Sequence, residues 1–124
     1  MQAVVREIKI AHQVCEIKFS SQVGELFMLG LELQDDIKIG SKVLLGFKNS
    51  DIALSSHKQI STRNNFCVSI TNINAGEIIS TINLNSNGFI FETVLSSNLI
   101  NEFKIGEEIW ACLNETSLYI SEIL

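Results

Sequence analysis

The sequence predicts an all-β protein built as two tandem small barrels of five strands each. Three observations predict it. The chain repeats itself at a spacing of about 65 residues, its apolar residues alternate with the period of two that marks strands, and its polar breaks are rich in the Asn and Gly of hairpin turns.

The repeat is clearest where "IKIGSKVLLGFKNSDIAL" (37–54) lies over "FKIGEEIWACLNETSLYI" (103–120), with the same K-I-G, apolar strand, polar turn and closing apolar pair. "VVREIKIAHQVCEIKF" similarly lies over "VSITNINAGEIISTINL". Two units follow, 1–57 and 64–124, joined by a linker over 58–63. In the first unit strands are expected over 2–8, 12–19, 24–31, 42–47 and 51–54. In the second they are expected over 65–73, 77–84, 88–94, 107–113 and 117–123. "NAG" (74–76) and "NSNG" (85–88) read as hairpin turns, with Gly and Asn supplying positive φ. In "SSNLINEF" (96–103), Ser96 or Ser97 is placed to cap a short helix whose Leu99, Ile100 and Phe103 form an apolar face. Five short strands with a helical turn in about 60 residues fit a barrel of the oligonucleotide/oligosaccharide-binding (OB) type. Such a barrel scarcely buries a core alone, and a chain without proline leaves its edge strands to be covered by charge or by another subunit. A homo-oligomer is the expectation.

Composition narrows the function. At 124 residues, 46% apolar and 19% charged, the chain is ordinary for a globular domain. Its longest apolar runs, such as "LFMLGLEL", are too short to span a bilayer, and "MQAVVREIKI" has no basic flank before a long apolar stretch, so a cytoplasmic protein without membrane insertion is expected. Cys15, Cys67 and Cys112 form no CxxC pair and are odd in number, which argues against a disulfide framework or a zinc site; each sits in an apolar run and reads as a buried free thiol. A net charge of −5 and the lack of aromatics interleaved with basic residues argue against nucleic acid. No Ser/His/Asp or Cys/His order surrounds His12 and His57, and Asp35-Asp36 reads as a solvated turn, so no enzyme is expected. The charge is uneven, however. Residues 52–76 contain no acid, yet hold Lys58 and Arg63, a stretch that an anion would tolerate.

The remaining polar residues fall at recurrent places. "STRN" (61–64) heads the second unit, "TVLS" (93–96) ends its third strand, and "NET" (114–116) with its counterpart "KNS" (48–50) forms the turn between the last two strands of each unit. Taken singly, each is a turn or a cap. Together they offer hydroxyl, amide and backbone donors with Lys48 and Arg63, a set suited to a small oxyanion; a metal cation calls for clustered carboxylate, imidazole or thiolate.

"GFKNSDIALSSHKQISTRNNF", followed by "FETVLSS" and "FKIGEEIWACLNETSLYI", resembles the tandem molybdate-binding Mop (TOBE) domain, in particular the C-terminal regulatory region of molybdate-transport ATPases. The resemblance spans essentially the whole chain. It implies two Mop-type OB-like barrels that bind molybdate or tungstate without catalysis and without a further cofactor, at an interface between repeats or subunits. By position, Ser61, Thr62 and Arg63 match the family's Ser-x-Arg-Asn segment. Thr93 and Ser96 match its Thr-x-x-Ser pair, with Ser97 an alternative to Ser96. Asn114, Glu115 and Thr116 match its Lys-x-Ser/Thr turn, and Lys48 and Ser50 match it in the first unit. The family's lysine is Asn114 here, and Glu115 beside it would repel a dianion unless turned away. The first unit keeps the lysine but lacks the Ser-x-Arg-Asn start and the Thr-x-x-Ser pair, so a complete site needs both units or two chains. The resemblance implies molybdenum storage or control of a transport ATPase; the alternative is an interaction or oligomerisation module whose oxyanion binding is weakened or lost.

Overall fold

Ten strands carry the chain, in an order set by alternation and turns: β1 Gln2–Ala11, β2 Val14–Ser21, β3 Gly24–Gly30, β4 Lys42–Gly46, β5 Ala53–Ser55, β6 Asn64–Asn74, β7 Ile79–Ser86, β8 Phe89–Ser96, β9 Glu108–Leu113 and β10 Tyr119–Ile123. The computed structural model describes every residue from Met1 to Leu124. Helix is confined to two 3-10 turns, Asn49–Asp51 and Ser97–Glu102. No helix is long and apolar enough to cross a membrane.

The all-β expectation holds as two five-stranded antiparallel sheets, in the orders β10-β4-β1-β2-β3 and β5-β9-β6-β7-β8. Each half of the chain therefore builds four strands of one sheet and sends its last strand to the other: β5 pairs with β9, and β10 pairs with β4. The inward residues of both sheets meet in one apolar cluster that includes Val5, Ile17, Phe19 and Val43 from the first sheet and Val68, Ile82, Leu84 and Leu113 from the second. Burying side chains of this size stabilises by roughly 1.5–3 kcal/mol each, so the shared cluster holds the two sheets together.

The two K-I-G segments close alike. Gly40 (φ 93°) and Gly106 (φ 89°) occupy the same left-handed position. Gly40 N–H donates to Val5 O at 2.8 Å, and Gly106 N–H donates to Ile70 O at 2.7 Å. Beyond each acceptor the strand is bulged, between Val5 and Glu7 in β1 and between Ile70 and Asn72 in β6.

Local expectations fare unevenly. The turn in "NSNG" closes at Asn87 (φ 50°) and Gly88 (φ 90°), as its composition predicts. Gly76 is not left-handed; it is required because the Ile79 carbonyl oxygen lies 2.2 Å from where a Cβ would stand. The first hairpin turns at His12 and Gln13, both left-handed, and not over 9–11, the gap expected between its strands. Ser96 caps the second 3-10 turn by accepting from Asn98 N–H at 3.4 Å. Ile100 and Phe103 pack on the core, but Leu99 remains exposed. Of the cysteines, Cys15 and Cys112 are buried, and burial pushes the Cys112 thiol pKa up. Cys67 is exposed because Phe66, Val68 and Ile70 take the inward positions of β6 and leave it the outer face.

Candidate functional site

The linker into β6 is folded by its own amides. Asn65 Oδ1 accepts from Gln59 N–H at 2.9 Å, and Asn65 Nδ2 donates to the carbonyls of Gln59 and Thr62 at 3.1 and 2.8 Å. Lys58 reaches over the Trp110 ring, its Nζ 4.8 Å from the centroid. Ile60 and Ser61 are left exposed at the tip.

Beyond the tip the chain turns inward. The Thr62 hydroxyl donates to Leu113 O at 2.7 Å and accepts from Asn64 N–H at 3.1 Å. Asn64 is fully buried, and its side chain makes a closed pair with the backbone of Phe27: Oδ1 accepts from Phe27 N–H and Nδ2 donates to Phe27 O, both at 2.7 Å. β3 is the edge of its sheet, so Asn64 stands in for the neighbouring strand that Phe27 lacks. Leu29 N–H completes the seam by donating to Glu115 O at 3.0 Å.

Arg63 lies on this seam with its charge engaged. Its Nε donates to Glu115 Oε1 at 3.1 Å, its terminal nitrogen donates to Glu115 Oε2 at 2.6 Å, and its backbone N–H donates to the same Oε1 at 3.1 Å. The terminal nitrogen also pairs with Glu16, while the guanidinium carbon stands 4.0 Å from the centre of the Phe27 ring. The hydrogen bonds to Glu115 raise the Arg63 pKa further above its ordinary value, with burial opposing and Glu16 assisting. The same bonds hold the Glu115 carboxyl below the usual Glu range, against the upward push of burial. The acid-free stretch around Arg63 is thus a property of the linear chain only: folding brings Glu16 and Glu115 to it from other strands and turns. Around Glu115 the turn satisfies itself, because Asn114 Oδ1 accepts from both the backbone N–H and the hydroxyl of Thr116 at 3.0 Å.

The counterpart turn behaves differently. Lys48 opens the first 3-10 turn without a side-chain capping bond, it is exposed, and it takes part in no ion pair; Ser50 is exposed beside it. This turn packs on β8, the edge of the second sheet, where the buried Thr93 hydroxyl is shared between Asn49 O at 3.1 Å and Ile52 O at 3.0 Å. Asn49 Nδ2 makes a long contact of 3.5 Å with Glu92 Oε1.

The ten expected residues therefore assemble into two clusters. One holds Thr62, Arg63, Asn114, Glu115 and Thr116 along β3, with Ser61 exposed at the linker tip; the other holds Lys48, Ser50 and Thr93 along β8, with Ser96 at that strand's end capping the second 3-10 turn. No hydrogen bond or ion pair joins the two clusters within the chain. The largest concavity, about 770 Å³ between the tips of the β2–β3 and β7–β8 hairpins, contains none of the ten. Sequence reasoning did not find Glu16, Phe27, Glu92 or the stitching role of Asn64. For Asn64 a signal existed: it shares the inward parity of Phe66, Val68 and Ile70, where a polar side chain demands partners. Glu16, Phe27 and Glu92 carry no such mark.

No protein-family profile matches the sequence, and no curated protein matches it. Among solved structures, the chain is similar to the cytoplasmic molybdate-binding protein ModG in a form with molybdate bound, with a TM-score of 0.87 and 17% sequence identity over 96% of this chain and 92% of that one. At that identity the likeness is one of fold.

Proposed function

We propose that this protein binds a small tetrahedral oxyanion, molybdate or tungstate, in the cytoplasm and does not transform it. The observation that carries the reading is the near-full-length fold likeness to a protein with molybdate bound. We read the two sheets as two Mop/TOBE-type OB-like units, 1–57 and 64–124 with the linker 58–63, that exchange their last strands. The oxyanion sits where one unit's Ser61, Thr62 and Arg63 meet a neighbour's Thr93 and Ser96, with Lys48 and Ser50 or Asn114, Glu115 and Thr116 closing the shell. The neighbour that lends Thr93 and Ser96 is a second copy of the chain, because the first unit has no such pair. A homo-oligomer is supported by apolar side chains left in water, among them Ile60, Ile78, Ile79 and Ile90. The physiological setting is molybdenum storage or control of a molybdate-transport ATPase.

Chemistry favours this ligand class for the Lys48 turn. Molybdate and tungstate are fully ionised at neutral pH and ask only for donors, whereas phosphate keeps a proton that needs an acceptor. Lys48 supplies a charge-assisted bond of roughly 1.5–3 kcal/mol, and neutral donors add about 1 kcal/mol each, so micromolar binding at about 8 kcal/mol requires several acting together. Calorimetric titration with molybdate, tungstate and sulfate, with oligomer size recorded in parallel, tests the reading. Saturable heat is expected with the first two oxyanions, weakened about tenfold by Lys48→Ala. No heat from either at millimolar concentration would count decisively against it.

A second reading, an interaction or oligomerisation module with reduced oxyanion binding, is favoured by one observation: Arg63 is already paired with two carboxylates. A stable complex with a transport ATPase lacking its own regulatory region, unchanged by molybdate, would support it.

A further inference from the structure

We propose that the carboxylate of Glu115 is the resident anion of the Arg63 donor set, and that an external oxyanion reaches those donors only by displacing it. The proposal rests on the oxyanion reading above and assigns Glu115 the part of a gate, not of a ligand.

The geometry is that of an anion already bound. A backbone N–H, the guanidinium Nε and a terminal guanidinium nitrogen of Arg63 converge on one small carboxylate. Backbone and guanidinium donors meeting at one point are how proteins hold phosphate-like groups, and here the two oxygens of Glu115 occupy that point. Two further approaches are taken, although the side chain as a whole is 46% exposed. Phe27 covers a face of the guanidinium, and Glu16 takes the terminal nitrogen from the β2 side. Nearby, Lys18 is spent on Glu7 and Glu25, and Lys9 stands opposite Glu16 in the β1–β2 register. One guanidinium between two carboxylates leaves a local excess of negative charge, so an incoming dianion is repelled until a carboxylate leaves.

Glu115 is set in place by the fold. It is buried, its carbonyl accepts from Leu29 N–H of the β3 edge, and the turn around it is closed by Asn114 and Thr116. The repeat supplies the natural comparison. The counterpart of Glu115 is Asn49, a neutral amide in a turn of the same origin, and Lys48 beside it has no resident anion. One half of the chain thus offers an open cation, and the other a cation closed by its own acid.

The test is calorimetric titration of wild-type protein, Glu115→Gln, Glu16→Gln and the double variant Glu115→Gln/Arg63→Ala with tungstate and with sulfate at neutral pH, folding being checked by circular dichroism. Glu115→Gln keeps an oxygen for the Arg63 N–H and removes the charge. It is expected to bind tungstate at least about tenfold more tightly than wild type, the gain vanishing in the double variant and being smaller in Glu16→Gln. If Glu115→Gln does not fold, Glu115→Asn, which copies the residue the other half carries at this place, takes its role with the same expected gain. Binding no tighter than wild type in the folded variant, or a gain that survives the loss of Arg63, overturns the proposal. Tungstate heat in Glu115→Gln with none in wild type would sink the binding function proposed above and uphold the gate; heat in wild type with no gain in the variant would do the reverse.

Discussion

Two of the four edge strands, β3 and β8, are each pinned to a turn from a repeated segment, yet by different chemistry. β8 is held by one hydroxyl: Thr93 binds the carbonyls of Asn49 and Ile52, and the charged residue of that turn, Lys48, is left to solvent. β3 is held by an amide and an ion pair: Asn64 binds both backbone groups of Phe27, Leu29 binds the Glu115 carbonyl, and the Glu115 carboxylate holds Arg63. Equivalent places in a repeat have divided the work. Charge has been drawn into structure on one side and left available on the other.

The sharpest way to break this comparison is Asn64→Ala. It leaves the N–H and C=O of Phe27 without their protein partners at a partly buried seam, and it opens a void where a fully buried side chain stood. A loss of about 3 kcal/mol is expected in urea unfolding. A loss below about 1 kcal/mol would mean that Asn64 does not stitch the edge of β3.

Next in size is the contrast between the two cations. Arg63→Met strands the buried Glu115 carboxylate, and because the Arg63 side chain is itself 46% exposed, the cost is set near 2 kcal/mol, below that of breaking a fully buried pair. Lys48→Met is expected to change stability by less than about 0.5 kcal/mol, since nothing in the fold leans on that ammonium. Equal costs for the two substitutions would abolish the distinction between a structural and an available charge. On the other edge, Thr93→Val keeps the shape and deletes the shared donor, and an intermediate loss of about 1–1.5 kcal/mol is expected in the same measurement.

Much of this was legible in the sequence, and the failures have a common cause. Period and turn chemistry are local, so the strands that became β4 and β9, the Asn87-Gly88 turn and a cap at Ser96 or Ser97 could be read directly. Which sheet β5 and β10 would join could not, because the closing apolar pairs of the two repeats look alike and pairing across the chain leaves no trace in either. The turn at His12-Gln13 was displaced by a few residues because Gln13, unlike Gly or Asn, carries no preference for positive φ. The same limit applies to the site. Its members could be enumerated along the chain, but the partner of Arg63 lies 52 residues away, and no stretch of sequence around Arg63 hints that its charge is neutralised.

The smallest expected effect is one of pH, and it separates the two turns without disturbing either edge. The Arg63 hydrogen bonds hold the Glu115 carboxyl below its ordinary value, while burial opposes them. A carboxyl depressed in the folded state contributes its full stability above the unfolded value of about 4.3, and that contribution disappears as pH falls through the folded value. Stability of the wild-type protein should therefore hold from neutrality to about pH 5 and then decline as Glu115 takes up a proton and releases Arg63. Glu115→Gln has already lost that increment, so its urea midpoints should start lower at neutral pH and converge on those of wild type in acid. Lys48→Met should run parallel to wild type throughout, because Asn49, the counterpart of Glu115 in its turn, has no proton to exchange. Parallel curves for Glu115→Gln and wild type would mean that the ion pair along β3 contributes no more to the fold than the open cation along β8.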